Sequence, residues 1–213
     1  MKYTDRRIAY FDALAAEWDD EEPSAETMVA RLSQHADLLG LAPGQHLLEV
    51  GCGTGKTTAY LAAQVAPGRV TAIDFAPAMI AKAKTKGIDA EFACLDVCSD
   101  DLGEGLYHVV LCFHSFPHFR DQALALRHFA RALRPGGRLI VMHLVGSEPL
   151  NRFHAGLEGP VNVDALPVGE QWDPLLSQAG LQSTQLIDRE DLFFLDASEK
   201  GSGTFSARAR KGS

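Results

Sequence analysis

From Gly44 onward the chain alternates short apolar runs with longer stretches in which apolar residues recur every three or four positions. The runs at 47–50, 70–74, 90–95, 109–113 and 139–144 predict buried strands. The stretches 56–65, 77–86 and 121–133 carry helical spacing, each closed by a Gly or Pro signal. Strand–helix alternation of this kind predicts βαβ units and a mainly parallel sheet. Arg134-Pro135-Gly136-Gly137 predicts a sharp helix-to-strand reversal, since Pro cannot continue a helix and Gly accepts positive φ. Further on, 171–180 predicts a helix and 181–187 a strand, with a last strand from either 192–196 or 204–208. Upstream, the stripe Ile8, Phe11, Leu14, Ala15 and Trp18 predicts an amphipathic helix. Ser24 then caps a second helix from Ala25 to Leu39, stopped at Gly40.

Composition narrows the class. The chain has 213 residues, 46% apolar and 23% charged, which suits one globular domain and argues against disorder. Lys+Arg 20 against Asp+Glu 28 leaves a net charge of −8, so a sequence-independent grip on nucleic-acid phosphates is not expected. No apolar run reaches the ~18 residues of a membrane span, and the N-terminus has no apolar signal region, so a cytoplasmic protein is expected. The four cysteines do not form a disulfide framework in a chain of this size. Cys94, Cys98 and Cys112 suit small buried hydrophobes better than a thiolate site.

The first strand runs into Glu49-Val50-Gly51-Cys52-Gly53-Thr54-Gly55-Lys56-Thr57. Glycines at alternate positions between a strand and a helix let the backbone turn tightly and approach a ligand closely. The ending Gly55-Lys56-Thr57 imitates a phosphate-binding loop, but the first glycine of that motif falls on Val50. The dinucleotide fingerprint fails too, because its third glycine falls on Lys56. What remains is G-x-G-x-G followed by Asp74 at the end of the second strand, where a carboxylate can accept from both ribose hydroxyls. A second acid, Asp96, ends the third strand.

Four stretches in order, 48–55, 74–79, Leu95-Asp96-Val97 and 133–139, make the chain resemble the class I S-adenosylmethionine-dependent methyltransferases, in particular the small-molecule, quinone-biosynthesis-like group. The resemblance implies a Rossmann-like, doubly wound α/β fold with a seven-stranded, mostly parallel sheet whose last strand is antiparallel. It also implies S-adenosyl-L-methionine as cofactor. Gly51, Cys52 and Gly53 would accommodate its methionine part, Asp74 the ribose, Phe75 and Met79 the adenine faces, and Asp96 and Val97 the adenine edge, with Phe113 in the same set. One methyltransferase domain over 1–213 follows, with N-terminal cap helices (1–40), a cofactor-binding core (44–143), a lid or substrate connector (144–170) and a C-terminal helix and strands (171–213). Relatives that methylate nucleic-acid amino groups carry Asn/Asp-Pro-Pro-aromatic after the fourth strand; this chain has 112–119 as Cys-Phe-His-Ser-Phe-Pro-His-Phe, which favours a small-molecule acceptor.

Histidines crowd the predicted crevice. His114 and His118 follow the fourth strand, His143 ends the fifth, and His154 and Asp164 lie in the connector. Histidine suits acceptor positioning or proton removal, so His114, His118 and His143 are catalytic candidates. It also suits a divalent metal, for which His143, His154 and Asp164 are the candidate ligands. The second functional reading is therefore a metal- or metal-chelate-binding protein, or a metal-dependent methyltransferase, built on the cluster His114, His118, His143 and His154. The blandest reading makes them packing and capping residues.

Overall fold

The computed structural model describes residues 5–20 and 23–201. The element order is α1 (Arg6–Leu14), α2 (Ala25–Ser33), α3 (Ala36–Leu39), β1 (His46–Val50), α4 (Thr58–Val65), β2 (Arg69–Asp74), α5 (Pro77–Lys84), β3 (Glu91–Cys94) and β4 (Tyr107–Phe113). Then follow α6 (Gln122–Ala132), β5 (Leu133–His143), α7 (Ser147–Ala155), α8 (Trp172–Gln178), β6 (Leu181–Arg189) and β7 (Leu192–Glu199), with short 3₁₀ turns at Phe116–His118 and Gly169–Gln171.

The seven strands form one sheet in the order β3-β2-β1-β4-β5-β7-β6. Strands β1 to β5 pair in parallel, and β7 runs antiparallel between β5 and β6. The expected doubly wound α/β fold is present, and 192–196 supplies the antiparallel last strand; the competing segment 204–208 lies outside the described residues. Alternate residues of each central strand feed two cores. Leu48, Val50, Val110 and Val141 meet Leu126 and Phe129 of α6 and Trp172 of α8 on one face. Leu47, Val109, Leu111 and Ile140 meet Leu61 and Val65 of α4 on the other. Burial on both faces is why these strands read as continuous apolar runs. The strand order reverses between β1 and β4, so a crevice opens at their carboxyl ends.

Several boundaries differ from expectation for local reasons. The predicted helix 25–39 breaks into α2 and α3, where Ser33 Oγ donates to the Ala30 carbonyl and His35 leaves helical geometry. The 56–65 helix begins only at Thr58, because Thr57 and Thr58 turn their hydroxyls onto Glu49. The reversal at 134–137 is absorbed into β5, whose register against β4 jumps from Tyr107↔Leu133 to Val109↔Arg138. The connector 144–170 holds a nine-residue helix, α7, with Pro149 in the first turn, where its missing N–H costs nothing. Among the described residues, no helix is long and apolar enough to cross a membrane.

Candidate active site

The cleft lies at the carboxyl ends of the parallel neighbours β1 and β4 and spans about 1030 Å³, open solvent at its mouth included. Its floor is the glycine loop. Gly51 and Cys52 donate their N–H groups to the Ile73 carbonyl at 2.8 and 3.0 Å, drawing the loop against the end of β2. Gly51 takes φ +73°, and a Cβ there would stand 2.3 Å from the Ser115 Cβ, so only glycine fits between the strand exits. Ser115 Oγ in turn donates to the Val50 carbonyl at 2.6 Å, tying the two exits together.

Two buried carboxylates stand under this loop. Glu49 accepts from Thr57 Oγ1 at 2.9 Å and Thr58 Oγ1 at 2.6 Å, and burial pushes its pKa up to about 7 despite those bonds. Asp74 accepts from the Gly53 N–H and the Ala76 N–H, both at 2.9 Å, and burial raises its pKa to about 6. Each Asp74 oxygen thus spends one lone pair on backbone and keeps another for a ligand. Gly51, Cys52, Gly53, Asp74, Phe75, Met79, Asp96, Val97 and Phe113 all line this one cleft. The Asp96 carboxylate is ion-paired with Arg120 and accepts from the Cys98 N–H at 2.8 Å.

The N-terminal segment roofs the cleft. Asp12 Oδ1 accepts from the Ala78 N–H at 2.8 Å, which clips α1 onto α5. Phe11 packs edge-on to Trp18 and His118 and tilted against Phe75, with ring centroids 6.1, 5.1 and 5.8 Å away. Asp19 accepts from Thr54 Oγ1 at 2.5 Å and pairs with Lys86 at 2.9 Å, pinning the segment to the glycine loop.

The histidines separate into different jobs. His114 sits at φ +55°, and its Nε2 accepts from the Leu144 N–H at 3.2 Å. Burial, with the Arg31 charge nearby, lowers its pKa to about 4. With Nε2 accepting from the Leu144 N–H, the ring has its basic nitrogen engaged and Nδ1 left to donate, an arrangement that suits a structural or donor role better than proton removal. His118 lines the cleft on a turn anchored by Phe116, which is buried against Trp172. Its Nδ1 is 2.8 Å from Asp164 Oδ2.

His143 does not line the cleft. It is buried with its ring beside His114 and Phe193, neither nitrogen has a partner among the described residues, and burial pushes its pKa well below the usual range. The expected metal set of His143, His154 and Asp164 does not assemble: among the described residues no three such side chains are placed to hold a metal. The reason is local. Both Asp164 oxygens are taken by Arg7 and His118, a guanidinium stands where a cation would sit, and His154 Nδ1 is spent on the Asp164 carbonyl at 3.0 Å.

Sequence reasoning left out Glu49 and Arg7 as site residues. Glu49 had a signal, a lone acid inside the apolar run 47–50, because a buried charge must find partners. Arg7 had none, since its partner Asp164 lies 157 residues away.

The comparisons agree with this geometry. A methyltransferase-domain family model matches residues 48–141. The O-methyltransferase cnsE of Penicillium expansum is 31% identical over 192 residues, covering 82% of this chain and 67% of that protein. The ubiquinone biosynthesis O-methyltransferase of Alkalilimnicola ehrlichii is 29% identical over 187 residues, covering 83% and 74%. Among solved structures, an S-adenosylmethionine-dependent methyltransferase from Aquifex aeolicus shares the fold with a TM-score of 0.66 at 19% identity, over 92% of this chain and 98% of that one. With a glycine loop over a strand-end aspartate at the sheet's switch point, and relatives of this kind along most of its length, the chain belongs to the S-adenosylmethionine-dependent methyltransferase family.

Proposed function

We propose that the enzyme methylates a hydroxyl oxygen on a small, neutral acceptor with an aromatic or apolar body, using His118 as the base. The observation that carries this is His118 itself: it lines the cleft with Nδ1 fixed by buried Asp164, which leaves Nε2 free to accept a proton. Relatives whose names specify O-methylation support oxygen as the acceptor atom. A neutral acceptor fits the cleft's cations, because Arg120 is paired with Asp96 and Lys56 donates to the Pro23 carbonyl. Arg152, in the last turn of α7, is exposed and pairs with Glu148 at 3.8 Å. Phe11, Phe119 and Met28 supply apolar wall for the acceptor's body.

The cleft fits S-adenosylmethionine by its chemistry. Asp74 offers two lone pairs to vicinal hydroxyls, and Phe75 and Met79 offer flat apolar contact to a purine. At Gly53 a Cβ would point between Trp18 and Met79, so the missing side chain leaves room in the cleft. Gly51, Cys52, Asp96, Val97 and Phe113 complete the proposed cofactor contacts. When bound, the cofactor supplies a methyl group on a positively charged sulfur, which keeps the electron pair of the broken S–C bond. The chain's own part is to hold the acceptor oxygen in line, exclude water beneath α1, and move the hydroxyl proton to His118 Nε2. The test is transfer of labelled methyl to a panel of phenols, catechols and aliphatic alcohols beside matched amines and thiols. Labelled O-methyl product that disappears in His118→Ala supports the reading; transfer confined to amines or thiols overturns it.

A further inference from the structure

Asp164 is an enclosed charge beside the cleft, behind His118. Its side chain has no exposed surface, and among the described residues its carboxylate is bonded by two, Arg7 and His118. Arg7 brings Nε to Oδ1 at 2.9 Å and to Oδ2 at 3.1 Å, with Nη2 to Oδ1 at 2.5 Å; His118 Nδ1 meets Oδ2 at 2.8 Å. Arg7 is itself aimed by Asp5, the N-cap of α1, whose Oδ1 takes both the Arg7 N–H at 3.0 Å and Nη1 at 3.3 Å.

The charges along this line decide what His118 can do. A buried carboxylate facing an imidazole alone favours the imidazolium, the form that cannot accept a proton. A guanidinium on the carboxylate's other side offsets that pull, so the carboxylate orients the ring while leaving it neutral. We propose that Arg7 is a positioning residue for His118: by gripping Asp164, it keeps His118 neutral with its proton on Nδ1 and the Nε2 lone pair turned to the acceptor. The proton leaves the acceptor O–H for Nε2, the oxygen keeps the O–H electron pair for the incoming methyl, and Asp164 faces the imidazolium that results. This rests on the O-methylation reading above for its purpose, but not for its test. It also joins two functions in one helix, since α1 carries both Phe11, which roofs the cleft, and Arg7, which sets the base.

The other titratable groups near His118 are His154 from α7 with its ring 5.1 Å away, His114 and His143 from the strand ends, and Asp74 from β2. None of them is altered by the variants below.

The experiment is nitrogen-detected NMR of the His118 ring at pH 7.5 in full-length protein saturated with S-adenosylhomocysteine. Wild type is expected to show a neutral ring protonated at Nδ1. Arg7→Met should move the ring toward imidazolium, Arg7→Lys should move it less, and Asp164→Asn should give a neutral ring with mixed tautomers. In the Asp164→Asn background, Arg7→Met should change nothing, because the residue through which Arg7 acts is gone. That double variant removes the buried carboxylate of Asp164 together with its guanidinium, and Asp5 keeps the residue 7 N–H, so it covers the case in which Arg7→Met alone fails to fold. Turnover of Arg7→Met should fall about fivefold at pH 7.5 and largely recover by pH 9, as the neutral fraction of the base falls and is restored at higher pH. An Arg7→Met ring identical to wild type, or an Arg7 effect that persists without Asp164, overturns the proposal. If the spectra follow the expected order while wild type methylates no hydroxyl, the role of Arg7 stands and the O-methylation reading falls.

Discussion

The two halves of the cleft are built differently. The half under the glycine loop is made by backbone: Gly51 and Cys52 dock on Ile73, and Asp74 is held by the N–H groups of Gly53 and Ala76. Its members sit at consecutive strand ends, within a few residues of a sharp turn. The half around His118 is made by side chains from three distant segments, with Arg7 near the start, His118 in mid-chain and Asp164 in the connector. Backbone placement tolerates drift in side-chain identity, provided the glycines remain. Side-chain placement depends on each partner, so single substitutions are expected to do most harm there.

The sharpest way to break this contrast is His118→Ala. Turnover should fall by about 10²- to 10³-fold, as expected for loss of a positioned base, while S-adenosylhomocysteine affinity measured by calorimetry stays within about twofold. Equal loss of both would merge the two halves. Asp74→Ala should do the reverse, weakening S-adenosylhomocysteine binding by at least about tenfold, in line with lost hydrogen bonds to a charged group. Unchanged affinity would remove Asp74 from the cofactor half.

A smaller effect separates the halves by pH. The pKa of Glu49 is raised to about 7 and that of Asp74 to about 6, so between roughly pH 4 and 7 the folded protein holds protons that the unfolded chain has released. Their contribution therefore lowers the stability of ligand-free protein as pH rises through that window, and levels off above about pH 7. Asp164 acts with the opposite sign. Burial would raise its pKa, but hydrogen bonds from His118 and Arg7 hold it below the usual range, so its stabilisation is present at neutral pH and fades in acid. Glu49→Gln should raise stability at pH 8 by about 3 kcal/mol and leave it nearly unchanged near pH 4.5. Thermal melts from pH 4.5 to 8 test this, and a variant parallel to wild type throughout would show that Glu49 is not the titrating group.

The smallest expected effect is at His143, whose two ring nitrogens are buried without partners. Replacing an unsatisfied polar ring by an apolar one of similar shape is nearly neutral or stabilising, so His143→Phe should leave turnover within about twofold and Tm unchanged or slightly higher. A collapse in turnover with intact S-adenosylhomocysteine binding would place His143 in the acceptor half.

Legibility followed the same division. Asp74, Asp96 and Phe113 could be placed on one crevice from the pattern because parallel strands share a direction, and their carboxyl ends therefore fall on one side. Glu49 was visible only as a charge in an apolar run. The second reading of the histidines, a shared metal among rings at strand ends and in the connector, finds no support, because each ring answers to a different neighbour. His114 turns to the Leu144 amide, His118 to Asp164, His154 to a carbonyl, and His143 to the core. Helix α7 was missed because Gly146 and Pro149 imitate a loop. Both are consistent with a helix start, and a side chain at Gly146 would strike the Arg189 carbonyl at 2.1 Å.

The linear pattern alone determined the alternation of strands and helices, the glycine turn and the acids at strand ends, because these depend on periodicity and on conformational rules that act over a few residues. Tertiary structure decided which charges pair, which histidine keeps a free nitrogen in the cleft, and that a guanidinium in the first turn of α1 stands behind it. Those outcomes depend on burial and on contacts between residues up to 157 positions apart, and such contacts leave no periodic trace in the chain.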